Sequence, residues 1–332
     1  MDVLSQAVLG ASLSQSVTND KARQWTALLI GALAGMAPDL DVLIRSADDP
    51  LLFLEFHRQF THSLLFIPLG ALLLAMVFYP FVKTKLTFAQ SYLFSFSGLA
   101  THGLLDACTS YGTQLFWPFS NERVAWNIVS IVDPLFTIPV LVFIVLAVYR
   151  KQRLFAQIAF VYAVVFLSLG FIQKHRAEDA LYSLAEQRGH EVERMRVKPS
   201  FANRHVWKLI YEYKEHYYVD AVKLLSNKKI IPGTSIQKLN VKRDLPWLTQ
   251  NSKQAKDIER FRWFSDDFLA IDPQNPNTVM DVRYSLLPNN IKLMWGIKLK
   301  QPMNNIPASH VKFIVNTQAR KQTRKQFIDM LF

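Results

Sequence analysis

Imidazole and carboxylate side chains gather at four places in the first half of the chain: Pro38-Asp39-Leu40-Asp41, His57-Arg58-Gln59-Phe60-Thr61-His62-Ser63, His102-Gly103-Leu104-Leu105-Asp106 and Asp133-Pro134. Imidazole nitrogen and carboxylate oxygen hold hard or borderline divalent ions where no thiolate is at hand. Cys108 is the single cysteine, so neither an internal disulfide nor a cysteine-based zinc site can form. His102 and Asp106 are four apart and share one helix face. Asp39 and Asp41 would point about 200° apart on an α-helix, so they converge only if the helix end has unwound at Pro38. The His102/Asp106 pair alone could be a buried hydrogen-bonded pair, and an N-cap in front of Pro134 accounts for Asp133 as well as a ligand does. Taken together, Asp39, Asp41, His57, His62, His102 and Asp106, with Asp133 as a further candidate, point to a divalent metal site. Arg58 reads as a snorkelling interfacial anchor ahead of a phosphate or carboxylate clamp. His175 reads as a surface helix start, and His190, His205, His216 and His310 have no partner at metal-binding spacing.

These clusters fall at the ends of apolar segments. Residues 25–44, 62–82, 88–107, 134–149 and 154–172 read as membrane helices and 3–17 as a shorter one, which makes about six. The start of the chain lacks a basic n-region, so the first helix is expected to be kept. The turns 18–24, 83–87 and 150–153 hold seven Lys/Arg and one acid, whereas loops 45–61 and 108–132 hold three Lys/Arg and four acids. The positive-inside rule puts the first set in the cytoplasm. All the candidate ligands then lie on the opposite, periplasmic face, and an even number of spans puts the second half there too. Ionisable groups at membrane depth are costly to hold and mark function by default.

The second half differs in kind. Ten Lys/Arg and ten Asp/Glu precede residue 173, so of the 38 and 26 in the whole chain the remainder carries 28 and 16, which is the entire net charge of +12. A charged helical run over 174–188 stops at Gly189. Strand-like stretches at 206–213 and 217–225, a helix at 253–264, and strands at 278–287, 291–300 and 310–316 with a hairpin at Pro288-Asn289-Asn290 read as a soluble α+β domain. The expected architecture is thus a multi-span α-helical membrane domain, residues 1–172, followed by a basic soluble domain, residues 173–332. Such a charge suits an acidic protein partner or anionic lipid. Its scattering among aromatic and acidic residues weighs against nucleic acid.

The motifs together, with Met1-Asp2, Gln6-Ala7 and Leu9-Gly10 at the start and Tyr111-Gly112-Thr113-Gln114 and Trp117-Pro118-Phe119 in the long loop, resemble the bacterial membrane-bound metal-dependent hydrolases, also described as LexA-binding inner-membrane-associated hydrolases. The similarity covers roughly residues 1–172. It implies a multi-pass inner-membrane protein whose metal ligands are Asp39, Asp41, His57, His62, His102 and Asp106. Related sequences often carry histidine where this chain has Gln6, so the first helix is expected to supply a hydrogen bond in place of a ligand. The expected chemistry is hydrolysis of a phosphoester or ester in a lipid-like substrate, with water activated by one or two divalent ions, zinc ahead of manganese. Asp41 or Asp106 would take the proton. A non-catalytic membrane interaction or regulatory protein, or a divalent cation transporter, would use the same residue types.

Overall fold

The computed structural model of the chain describes residues 1–301, 309–316 and 321–331. The chain divides into two units: Met1–Leu43 with Phe56–Ile172 and Phe201–Asn203, and Ile44–Glu55 with Gln173–Ser200 and Arg204–Phe332.

In the first unit Asp2 caps α1 (Val3–Ser16), accepting from the Leu4 and Ser5 amides. After a short 3-10 turn, α2 (Gln24–Met36) runs on into a 3-10 stretch, Ala37–Leu43, at the point where Pro38 removes a backbone donor. After α3 (Leu52–Phe56), which but for Phe56 is counted with the second unit, come a 3-10 turn Phe60–His62 and α4 (Phe66–Val82). A Thr87/Gln90 capping box opens α5 (Phe88–Ala107). Asp133 caps α6 (Pro134–Arg150), with Pro134 as its first residue, and α7 (Arg153–Gln187) follows. Helices α1, α2 and α5 meet backbone to backbone. A Cβ on Gly10 would lie 2.5 Å from the Gly31 carbonyl oxygen, and one on Gly98 2.4 Å from the same atom. Small residues of this kind let membrane helices approach closely. Beside that crossing, Val8 and Leu9 of α1 pack with Phe136, Val140 and Ile144 of α6 and Ala159, Ala163 and Phe166 of α7.

Six apolar spans were expected, and fewer are found. Among the described residues two helices are long and apolar enough to cross a membrane, Lys21–Leu43 and Arg153–Gln187. There are three if the pair Leu52–His62 and Phe66–Val82, bent by 84°, counts as one span. The others fall short for physical reasons: α1 has 14 residues and α6 has 17, against about 20 for a full crossing. Helix α5 has the length but carries Ser91, Ser95, Ser97, Thr101, His102 and Asp106, all turned inward and buried.

The second unit contains two four-stranded antiparallel sheets. The first is β1 (Arg194–Pro199), β2 (Val206–Tyr213), β3 (His216–Leu224) and β4 (Lys228–Gln237), in that order. Its β2–β3 turn is Lys214-Glu215, both at positive φ as a two-residue hairpin requires. Short α8 (Val241–Asp244) and α9 (Lys253–Phe264) lead to the second sheet: β5 (Leu269–Asp272), β6 (Asn275–Asp281), β7 (Trp295–Lys298) and β8 (Lys312–Val315), followed by α10 (Lys321–Leu331). Ala177, Leu181 and Ala185 of α7 pack on Trp207, Leu209 and Val222 of the first sheet. Ile210 and Val219 on its other face meet Phe268, Ala270 and Met280. The strands expected over 278–287 and 291–300 are shorter and shifted, and β1, β4 and β5 were not anticipated.

Candidate metal centre

Three segments of the first unit bring four candidate ligands together. Asp39 comes from the 3-10 stretch after α2, His62 from the turn before α4, and His102 and Asp106 from one face of α5. One ligand atom from each lies within 4.8 Å of all the others. His62 Nε2 is 2.9 Å from His102 Nε2, and each is 3.5 Å from Asp39 Oδ1. Asp106 Oδ2 stands 3.3 Å from His62 Nε2 and 3.7 Å from His102 Nε2. Four ligands at about 2.0–2.1 Å around a tetrahedral ion are about 3.3–3.4 Å apart, so the spacing suits a zinc-sized cation.

The two imidazoles also face each other in the right form. His102 Nδ1 is 2.5 Å from the Gly35 carbonyl oxygen, which can only accept, so Nδ1 carries the hydrogen and Nε2 the lone pair. His62 Nδ1 is 2.9 Å from Thr61 Oγ1, whose own hydrogen goes to Asp41 Oδ2, so His62 likewise turns a lone pair inward. Two lone pairs 2.9 Å apart repel unless a cation or a shared proton lies between them. Outer carbonyl and carboxylate partners of this kind orient metal-bound histidines. Asp106 Oδ2 is buried without a hydrogen bond, although Arg58 Nε lies 2.9 Å away as an ion pair. An orphaned carboxylate oxygen aimed at the same point fits a metal ligand.

The close approach of the segments depends on Gly103. A Cβ there would be 2.3 Å from the His62 carbonyl oxygen, so only glycine lets the His62 turn lie against α5 beside His102.

The remaining candidates lie outside the group of four. Asp41 stands behind it: Oδ1 is 2.7 Å from His57 Nδ1, while Oδ2 accepts from the Arg58 amide at 3.0 Å and Thr61 Oγ1 at 2.8 Å and lies 3.3 Å from His62 Nδ1, on the side of that ring turned from the cluster. His57 packs edge-on against Tyr111 and keeps its side chain 19% exposed. Asp133 is the N-cap of α6, its Oδ1 accepting from the Leu135 amide at 3.1 Å, which is the cap reading of the sequence. The anchor reading of Arg58 is corrected, because the residue is only 4% exposed and points inward. Gln6 donates from Nε2 to Asp106 Oδ1 at 2.8 Å, the hydrogen bond expected of the first helix in place of a ligand. The Met1 amino group lies against the same oxygen. Thr61, Thr109 and Tyr111 brace the centre and had been given no role in it. Thr61 lies inside the His57–His62 motif and Tyr111 in the long-loop motif, whereas nothing pointed to Thr109.

Helices with membrane character around a two-histidine, two-aspartate cluster, buried but for Asp39, define a membrane protein with a candidate metal centre. The chain belongs to the YdjM inner membrane protein family, whose sequence profile matches residues 1–177. It is 29% identical over 141 residues to the uncharacterized protein YfhP of Bacillus subtilis (strain 168), which covers 40% of this chain and 42% of that protein. It is 32% identical over 108 residues to inner membrane protein YbcI of Escherichia coli (strain K12), covering 31% of this chain and 61% of that one. The chain thus spans less than two thirds of the length of these curated relatives. No solved structure matches it. Hydrolysis and LexA binding, which the resemblance implied, appear in neither the family's description nor the relatives' names.

Proposed function

We propose that this inner-membrane protein is a metal-dependent hydrolase in which Asp39, His62, His102 and Asp106 hold one divalent cation, zinc ahead of manganese. The carrying observation is the His62/His102 pair, two Nε2 lone pairs turned toward one point by the partners of their Nδ1 atoms. One ion is favoured over two because Gln6 Nε2 already donates to Asp106 Oδ1, the oxygen a second ion would need. When bound, the cation supplies Lewis-acid polarisation of the scissile group and lowers the pKa of water.

The chain's own residues do the rest. Asp41 has both oxygens engaged, so the proton-moving role passes from it to His57, whose Nδ1 it fixes and whose Nε2 is left to give or take a proton at the reacting oxygen. Asp106 is held between Gln6 and Arg58 and acts as a ligand, not a base. The substrate is an ester or phosphoester of a lipid-like molecule, and the loop charges favour a periplasmic position for the centre. The basic second half is the surface for a protein partner or anionic lipid.

Metal analysis of the full chain purified in detergent, beside His62→Ala/His102→Ala, tests this reading. About one zinc or manganese per chain in the wild type and none in the double variant are expected, with turnover of phosphodiesters or phospholipids by the loaded protein alone. Metal-free wild type would refute it. Metal bound without turnover would leave a transporter or a non-catalytic membrane protein.

A further inference from the structure

We infer that the centre takes a phosphoryl group and that Arg58 is the residue that recognises it. This rests on the hydrolase reading and narrows it from esters in general to phosphoesters.

Arg58 is held in one conformation from every side. Its φ is +65°, a left-handed value that a long side chain adopts only where its surroundings impose it. The amide donates to Asp41 Oδ2 at 3.0 Å, and the carbonyl accepts from the Gln114 amide at 2.9 Å. The guanidinium then lies over the Tyr111 ring, 4.7 Å from its centroid, with Nη1 donating to Thr109 Oγ1 at 3.0 Å and Nε 2.9 Å from Asp106 Oδ2. Among the described residues Nη2 makes no hydrogen bond. A buried, immobilised guanidinium beside a candidate metal ligand therefore keeps two N–H groups in hand.

That remainder selects the substrate. A neutral carboxylic ester brings no charge to meet a buried cation, and its single carbonyl oxygen is wanted by the metal. A phosphoryl group carries several anionic oxygens, so one can meet the cation while another takes Nη2, the fork geometry for which arginine is suited. Arg123, its guanidinium 5.2 Å from the same Tyr111 ring, adds positive potential beside Arg58.

Inorganic phosphate titrated calorimetrically into the zinc-loaded full chain in detergent tests the inference, with zinc per chain measured on the same samples. Phosphate is expected to bind the wild type, and both Arg58→Lys, which keeps the charge but loses the fork, and Arg58→Met are expected to weaken it about ten- to hundredfold at unchanged zinc content. Competition by phosphatidic acid in mixed micelles against sn-glycerol 3-phosphate then identifies a lipid or a soluble phosphoester as the source, and displacement by neither overturns the inference. Zinc bound with no phosphate affinity, or with affinity indifferent to Arg58, overturns it while leaving the metal reading intact. Loss of zinc in both Arg58 variants makes the residue a brace of the cluster and overturns recognition. A wild type that binds no zinc removes the hydrolase reading and this inference with it.

Discussion

Replacing Gly103 by alanine changes no ligand, yet it should cost the protein its metal. The added Cβ would stand 2.3 Å from the His62 carbonyl oxygen, where ordinary contacts begin at 3.4 Å and those under 3.0 Å are not tolerated. The His62 turn must therefore retreat from α5 by roughly 0.7 Å or more, because packed interiors transmit such strain instead of absorbing it. Metal–ligand distances tolerate about 0.2 Å. Since His62 Nε2 and His102 Nε2 sit on opposite sides of that contact, the cluster opens and zinc affinity should fall at least ten- to hundredfold. Overpacking alone costs about 1–3 kcal/mol with or without metal, so the two effects must be separated. Thermal stability with chelator and with zinc does this. At zinc equal to a hundred times the wild-type Kd, the wild type gains about 2.7 kcal/mol, whereas a variant weakened ten- to hundredfold gains about 1.4 down to 0.4 kcal/mol. A folded Gly103→Ala protein that gains as much from zinc as the wild type would refute both the contact and the metal centre built on it.

Two further substitutions separate the roles of other groups. His57→Gln should leave zinc content unchanged and lower turnover by about a hundredfold to ten-thousandfold; zinc lost with the imidazole would return His57 to the ligand set. In the second unit, burial pushes the Lys208 ammonium down to about 7, while among the described residues Nζ donates to Ser285 Oγ and the Asn290 carbonyl, both uncharged. The unfolded chain holds that proton up to about 10.4, so between these values the unfolded state binds more protons and stability rises with pH, by up to about 1.4 kcal/mol per unit. The penalty is in full force below about 7. Lys208→Met should flatten this rise in denaturant titrations followed by tryptophan fluorescence; an unchanged slope would show that Lys208 is not its source.

Much of the candidate centre could be read from residue types because its chemistry is carried by local spacings. His102 and Asp106 share a helix face by period alone, and Pro38 marks where the helix must change. What the spacing hid was direction. His57 and His62 look equivalent in the motif, but the left-handed turn at Arg58 lies between them, and Asp41 claims the first imidazole while the second faces the cluster. Asp39 and Asp41 were expected to converge, yet the 3-10 stretch sends one to the cluster and the other to His57. Span counting failed because it scores apolar length, and a helix enclosed by other helices can be short or serine-rich, as α1 and α5 are. In the second unit β1 was missed because Arg194, Arg196 and Lys198 alternate along it, and β4 because Pro232 and Gly233 sit in what proves to be an edge strand.

The burial of α1 has a consequence for how the protein is made. Ser5, Gln6, Ser12, Ser14 and Gln15 are fully enclosed, and their partners include His102 and Asp106 of α5, Phe94 further along the same helix, and Ile144 of α6. A ribosome delivers α1 long before α5 or α6 exists. During that interval the Gln6 and Gln15 amides and the Ser14 hydroxyl lack those partners, and hydrocarbon offers no substitute. Helix α1 is therefore expected to settle against α5 and α6 only once they arrive, so the candidate metal centre is completed by a helix made before the ones that carry its ligands.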